Sequence, residues 1–119
     1  IGARDVSLTE IERRMASRGP IEGWEIDKVA REYIEEAGYG CHFKHRLGHS
    51  LGREAHGNAV NLDGWETNDT RSLIPGIAVT IEPGIYLPGE FGVRSEINVY
   101  ISENGPQVTT EPQRSVVLI

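Results

Sequence analysis

The stretch Ile77-Ala78-Val79-Thr80-Ile81-Glu82-Pro83-Gly84 is where the chain changes its hydrophobic period. Ile77, Val79 and Ile81 alternate with Ala78, Thr80 and Glu82, the two-residue repeat of a strand with unlike faces. Pro83-Gly84 ends the run as a rigid turn and fixes Glu82 at the strand's end. A second alternating run follows. Val93, Ser95, Ile97, Val99 and Ile101 share one face while Arg94, Glu96, Asn98 and Tyr100 share the other, which predicts one strand over 93–101. Glu103-Asn104-Gly105-Pro106 carries Asn-Gly, a strong short turn signal, so a hairpin into 107–110 is expected. Residues 116–118 read as a last strand.

Upstream the period is helical. Ser7 with Glu10 makes a Ser-x-x-Glu capping box ahead of Ile11 and Met15, predicting a helix that starts there and stops near Gly19-Pro20. Ile26, Val29, Ala30, Tyr33, Ile34 and Ala37 recur at helical spacing, and Gly38 closes that second helix as a C-terminal cap. Residues 39–76 have many glycines and polar residues and no sustained period, so they read as short strands and long loops, the kind of region that carries sites. Helices first and antiparallel strands afterwards give an α+β class.

At 119 residues the chain is one small domain or part of a larger one. Its 18 acidic residues against 12 basic ones, a formal charge of −6 with no basic run, argue against nucleic acid and against an anionic membrane surface. The single cysteine, Cys41, excludes an intrachain disulfide and suits a reducing cytoplasm. No apolar stretch approaches membrane-spanning length. The opening Ile1-Gly2-Ala3 lacks methionine and reads as a chain cut from something longer, a partial domain over 1–119.

Three residues have the chemistry of a metal site. One imidazole, His49, and two carboxylates, Glu82 and Glu96, suit a divalent ion of borderline hardness. If the two alternating strands are neighbours, Glu82 and Glu96 project from one sheet surface into one cavity, with Arg94 on the same face. A solvated polar face is the alternative; the Pro-Gly stop after Glu82 and the apolar flanks weigh against it. His42, His45, His49 and His56 are interleaved with Gly48 and Gly52, and each is either a hydrogen-bonded structural group or a functional one. His56 comes seven positions after His49, which sets the two on opposite faces of an extended segment unless Gly52 breaks the alternation. Cys41-His42 with His45 lacks the second pair a tetrahedral zinc site needs. The acidic run from Asp63 to Asp69 lacks the glycine and terminal glutamate of a calcium loop.

Together these segments resemble the C-terminal half of the pita-bread metallopeptidases, the superfamily of Xaa-Pro aminopeptidases, prolidases, methionine aminopeptidases and creatinases. Motifs occur in the right order along 21–118: Gly48-His49-Ser50-Leu51-Gly52 through His56, Leu73-Ile74-Pro75-Gly76, Thr80-Ile81-Glu82-Pro83-Gly84-Ile85-Tyr86 and Gly92-Val93-Arg94-Ser95-Glu96. Tyr86-Leu87-Pro88-Gly89-Glu90-Phe91-Gly92 is similar to the Xaa-Pro-cleaving branch. The resemblance implies helices packed on a curved antiparallel sheet. It implies that His49, Glu82 and Glu96 are three of five protein ligands to two divalent ions (manganese, cobalt, zinc or iron), with Glu96 bridging. His56 matches the histidine that stabilises the substrate carbonyl and the tetrahedral intermediate; His45 matches a histidine of the substrate pocket, and Arg94 and Tyr86 match groups lining the site. His45 and Arg94 thereby count among the candidate catalytic groups as well as the substrate-binding ones.

The other two implied ligands are aspartates that precede the histidine, on a pseudo-symmetric N-terminal half. Only Asp5 and Asp27 come earlier here, and neither lies in a matching strand motif. The expected function is therefore a fragment of a two-metal peptidase that cleaves the N-terminal bond of short peptides, before proline, and is inactive by itself. A non-catalytic pita-bread protein-binding module and a creatinase-like C–N hydrolase are the alternatives. A sheet face meant for the missing half predicts self-association as a twofold homodimer.

Overall fold

Val79, Ile81, Val99 and Ile101 are fully buried and Ile97 nearly so, and their two strands are the central pair of a four-stranded antiparallel sheet. The computed structural model describes residues 1–116. Its elements are α1 (Gly2–Ala16), α2 (Gly23–Glu36), a short 3-10 turn (Gly40–His42), β1 (Ser50–Leu51), β2 (Ala78–Ile81), β3 (Gly84–Leu87), β4 (Phe91–Arg94), β5 (Ile97–Ser102) and β6 (Gly105–Val108). The large sheet has the order β1-β2-β5-β6, and β3 with β4 forms a separate two-stranded ribbon. α1 packs on α2 and lies against β6 and β2. Ile11, Ile26, Ala30 and Ile34 from the helices meet Phe43, Leu47, Val60, Leu62 and the strand residues in one apolar core. The α+β class read from the sequence is the observed one. Among the described residues, no helix is long and apolar enough to cross a membrane.

The 93–101 run is two strands, not one. β4 pairs with β3, Ile85 opposite Val93, whereas β5 pairs with β2, Ile81 opposite Ile97. The break falls at Ser95-Glu96, directly across from Glu82-Pro83, where β2 gives way to β3. Pro83 has no N–H to continue a ladder, and its carbonyl accepts the Ser95 N–H at 3.2 Å. Both chains therefore leave one sheet and enter the other at the same level. Val93, read as sharing a buried face with Ile97, is instead 52% exposed.

The first helix starts earlier than its supposed capping box. Ser7 is buried inside α1, and its hydroxyl donates to the Ala3 carbonyl at 2.7 Å. Ala3 and Arg4, in the turn ahead of Ser7, are buried as well, so Ser7 is an interior residue of the helix and not its cap. A capping box does exist on α2, where Glu25 Oε2 accepts the Glu22 N–H at 2.9 Å and Glu22 reciprocates. Glutamate is not a favoured N-cap, which hid it from a sequence reading. At the other end Gly38 takes φ +84°, and the Gly38 and Tyr39 N–H groups bond the Glu35 and Ile34 carbonyls. The hairpin after β5 forms as expected but turns on Glu103-Asn104, with Gly105 (φ +126°) opening β6 opposite Ser102. Of the strand expected at 116–118, only Val116 is described, exposed and in no strand; the rest lies outside the described residues.

Glu10 ties the helices together. It accepts from Arg13 and Arg14, each at 2.7 Å, and Arg14 reaches on to Glu25 of α2 at 2.6 Å. The bonds from Arg13 and then Arg14 hold the Glu10 carboxyl down at about 2, against an ordinary 4.5. A carboxyl depressed in the folded state stabilises above its unfolded pKa and loses that contribution as pH falls through the folded one. Glu10→Gln is expected to lower unfolding free energy at pH 7 by no more than about 1 kcal/mol, as for a partly exposed pair. Denaturant titrations should show the gap from the unsubstituted chain closing between pH 4.5 and about 2.

Candidate active site

Residues 47–51 run beside β2. Glu82 N–H donates to the Leu47 carbonyl at 2.8 Å, and Thr80 N–H to the His49 carbonyl at 2.9 Å. Gly48 is required by that approach: a Cβ there would lie 1.9 Å from the Thr80 carbonyl oxygen. Thr80, buried between the two candidate ligands, accepts the His49 N–H at 2.9 Å and donates its hydroxyl to Glu82 Oε1 at 2.9 Å. The sequence reading missed Thr80, whose only signal is a hydroxyl two residues before Glu82 on the same strand face.

The tautomer of His49 follows from its neighbour. Its Nδ1 lies 3.0 Å from the Ser50 carbonyl, which can only accept, so Nδ1 carries the hydrogen. In the neutral ring Nε2 is then a bare lone pair, and it stands 3.3 Å from Glu82 Oε1. Two electron-pair donors face each other across that gap. A proton on the ring or a cation between the two reconciles them, and a second hydrogen bond fixing a ligating ring is how metal sites orient imidazoles. The donor pair thus fits a divalent ion.

His56 reaches the same place. The 52–57 loop folds back on β1 through Gly57 N–H to the Ser50 carbonyl at 2.7 Å. A Cβ on Gly57 would meet the Leu51 oxygen at 2.8 Å, and one on Gly52 the Gly57 Cα at 3.1 Å. The glycines let the fold-back close, so the His56 ring centroid stands 4.2 Å from that of His49 although the ring is exposed.

A second group surrounds Tyr86. Arg94 Nε donates to the Tyr86 hydroxyl at 2.9 Å, and Arg94 Nη1 to Glu82 Oε2 at 3.1 Å. His45 Nδ1 is held by the Arg46 carbonyl at 2.7 Å and so carries the hydrogen, leaving Nε2 to accept from the Tyr86 hydroxyl at 3.0 Å. The bond to Tyr86, then the charge of Glu82, raises Arg94 and keeps it cationic. Gly84 and Gly92 clear space for the ring: a Cβ on Gly84 would lie 2.6 Å from the Tyr86 hydroxyl, one on Gly92 2.7 Å from its Cδ1. His42 Nδ1 donates to the Tyr86 carbonyl at 3.1 Å and is structural. Asp63 is too, since its carboxylate takes the N–H groups of Trp65, Glu66 and Thr67.

His45, His49, His56, Glu82, Tyr86 and Arg94 line one open cleft of about 320 Å³, with Arg46 and Glu66 at its rim. Glu96 does not line it. The register that pairs Ile81 with Ile97 sets Glu96 opposite Glu82 one residue further on, but Glu96 is exposed and no ion pair or hydrogen bond holds its carboxylate among the described residues. Among those residues no three His, Cys, Asp or Glu side chains converge as a metal site.

The sequence profile of metallopeptidase family M24 matches residues 9–103. The Xaa-Pro dipeptidase of Pyrococcus furiosus is 43% identical over 93 residues, 78% of this chain and 26% of that protein. A crystal structure of a dipeptidase from Pyrococcus horikoshii matches with a TM-score of 0.79 at 33% identity, over 95% of this chain and 29% of that one. The X-Pro aminopeptidase of Thermotoga maritima matches at 0.73 and 36% identity, over 96% and 32%. The chain spans about a quarter of the length of the curated relatives it matches.

Thr80→Val keeps the shape and removes the shared hydroxyl, leaving the His49 N–H without its partner. Urea unfolding should show a loss of about 1–3 kcal/mol, the penalty of an unsatisfied group in a largely buried setting.

Proposed function

The chain belongs to metallopeptidase family M24, and on that premise we propose that it forms part of a two-metal active site that hydrolyses the N-terminal bond of short peptides, with proline after the bond. The observation that carries the reading is the His49 Nε2 lone pair facing Glu82 Oε1 at 3.3 Å, with His56 beside it and Arg94 and Tyr86 opposite. The names of the Pyrococcus furiosus and Thermotoga maritima relatives support the proline preference.

In this reading His49 and Glu82 would hold metal beside β1 and β2, and Glu96, exposed across from Glu82, would have to turn its carboxylate toward them. The remaining ligands that the resemblance implies, two aspartates, would come from the other half of the active site. A divalent pair would polarise the amide carbonyl and acidify a water; manganese, cobalt, zinc and iron all suit the donors. The chain's own residues do the rest. His56 offers a donor where negative charge develops on the scissile carbonyl. Arg94 and His45 hold the Tyr86 hydroxyl from two sides, so the substrate meets a fixed polar wall. The exposed, free Cys41 accords with a reducing, cytoplasmic setting.

Cobalt titration followed by its visible absorption tests the site. Weak binding by the 119-residue chain, lost in His49→Ala and in Glu82→Gln, is expected. Hydrolysis of a Xaa-Pro dipeptide is expected only when the rest of the parent protein is present. Turnover by the chain alone would refute the shared site; no binding at all would favour a non-catalytic binding module.

The ribbon of β3 and β4 leaves Phe91 63% and Val93 52% exposed, beside half-exposed Ile1 and Tyr33. A second copy covering that apolar face makes the isolated chain a twofold dimer. Sedimentation should give a dimer that Phe91→Asp with Val93→Asp converts to a monomer; a folded monomer at high concentration counts against it.

A further inference from the structure

Asp27 is fully buried in the second turn of α2, an expensive place for a carboxylate. It accepts from Arg31 one turn on, at 2.5 Å from Nε and 3.1 Å from Nη2, and from the Leu47 N–H at 2.7 Å. Arg31 in turn donates to the His45 carbonyl at 2.5 Å and to the Phe43 carbonyl at 3.2 Å. Its guanidinium lies 4.3 Å from the Phe43 ring centroid and 4.7 Å from that of Trp65. The 43–47 segment belongs to no strand. The pair acts as a neighbouring strand would, donating to carbonyls 43 and 45 and accepting from amide 47.

We propose that Asp27 and Arg31 are positioning residues, which fix the 43–47 backbone so that His45 meets Tyr86 and the Leu47 carbonyl meets the Glu82 amide. Neither residue lines the cleft, and no other α2 residue does. Their effect passes through two connections. The His45 peptide carries the ring whose Nε2 takes the Tyr86 hydroxyl, and Leu47 links Asp27 on its N–H side to Glu82 on its carbonyl side. A buried ion pair is a weak source of stability, since apolar residues of similar volume often replace one without loss. Its directed bonds are what an apolar pair cannot supply. Lysine cannot replace Arg31 either, because one ammonium does not span Asp27 and two carbonyls in a plane.

The substrate-side consequence rests on the peptidase reading above, so the test has two arms. In the ¹⁵N-labelled chain, histidine two-bond correlations should show His45 locked as the Nδ1–H tautomer. Arg31→Lys, which keeps the charge beside Asp27, should convert it to an averaged tautomer while the chain still melts cooperatively. Trp65→Leu, at a half-exposed ring, should shift His45 the same way by less, and it serves if Arg31→Lys does not fold. In the full-length parent, Arg31→Lys and Asp27→Asn should raise KM for a Xaa-Pro dipeptide roughly ten- to hundredfold with kcat changed far less. A lower melting temperature with the His45 signature and KM unchanged would overturn the proposal. A parent without peptidase activity would sink the peptidase reading alone, and the tautomer arm would then decide the positioning role.

Discussion

Pro83 carries no amide hydrogen, so the ladder that joins β2 to β5 cannot continue past Glu82. Its carbonyl still accepts, and it takes the Ser95 N–H from the opposing chain. Two antiparallel chains therefore change sheets at one level, and the corner they make is where the site lies. Glu82 ends one strand, Tyr86 is in the middle of the next, and Arg94 closes β4 immediately before the return. Arg94, two residues before the position opposite Glu82, is its diagonal neighbour on the same face. At the corner its guanidinium touches both Glu82 and Tyr86.

Close approach does the rest. Gly48 lets the His49 strand lie against Thr80, Gly57 lets the His56 loop fold onto β1, and Gly84 with Gly92 leaves room for the Tyr86 ring. None of these glycines needs an unusual backbone angle; each is small because a neighbouring segment or the Tyr86 ring occupies the space of its Cβ. The Thr80 hydroxyl then joins the two sides, accepting the His49 N–H and donating to the Glu82 carboxylate. The site is polar and open on its outer side, while its supports are buried.

Those supports come from the helices. Arg31 and Asp27 of α2 hold the segment that leads into His45 and Leu47. Arg4 of α1, also buried, donates to the Ser95 hydroxyl and to the Gln113 carbonyl, and so holds the corner from behind. Each helix thus contributes a charged side chain to segments that flank the site.

The alternation at 77–82, the helical spacing at 26–37 and the ordered His-Glu-Glu motifs were legible without coordinates, because period and turn chemistry are local properties. Period and turn chemistry determine the α+β class, the second helix and the hairpin, whereas His45, His56, Tyr86 and Arg94 were marked as site residues only through the family resemblance that the ordered motifs carry. Alternation cannot reveal which strand is the partner, and so the 93–101 run concealed its division between two sheets. Ser7 looked like a cap because capping patterns take no account of what buries Ala3 and Arg4. Only the tertiary structure decided that Thr80 joins His49 to Glu82, that Asp27 and Arg31 brace the His45 segment, and that Glu96 stands apart, opposite Glu82 but outside the cleft. These depend on contacts between residues distant in sequence, and no local repeat encodes such contacts.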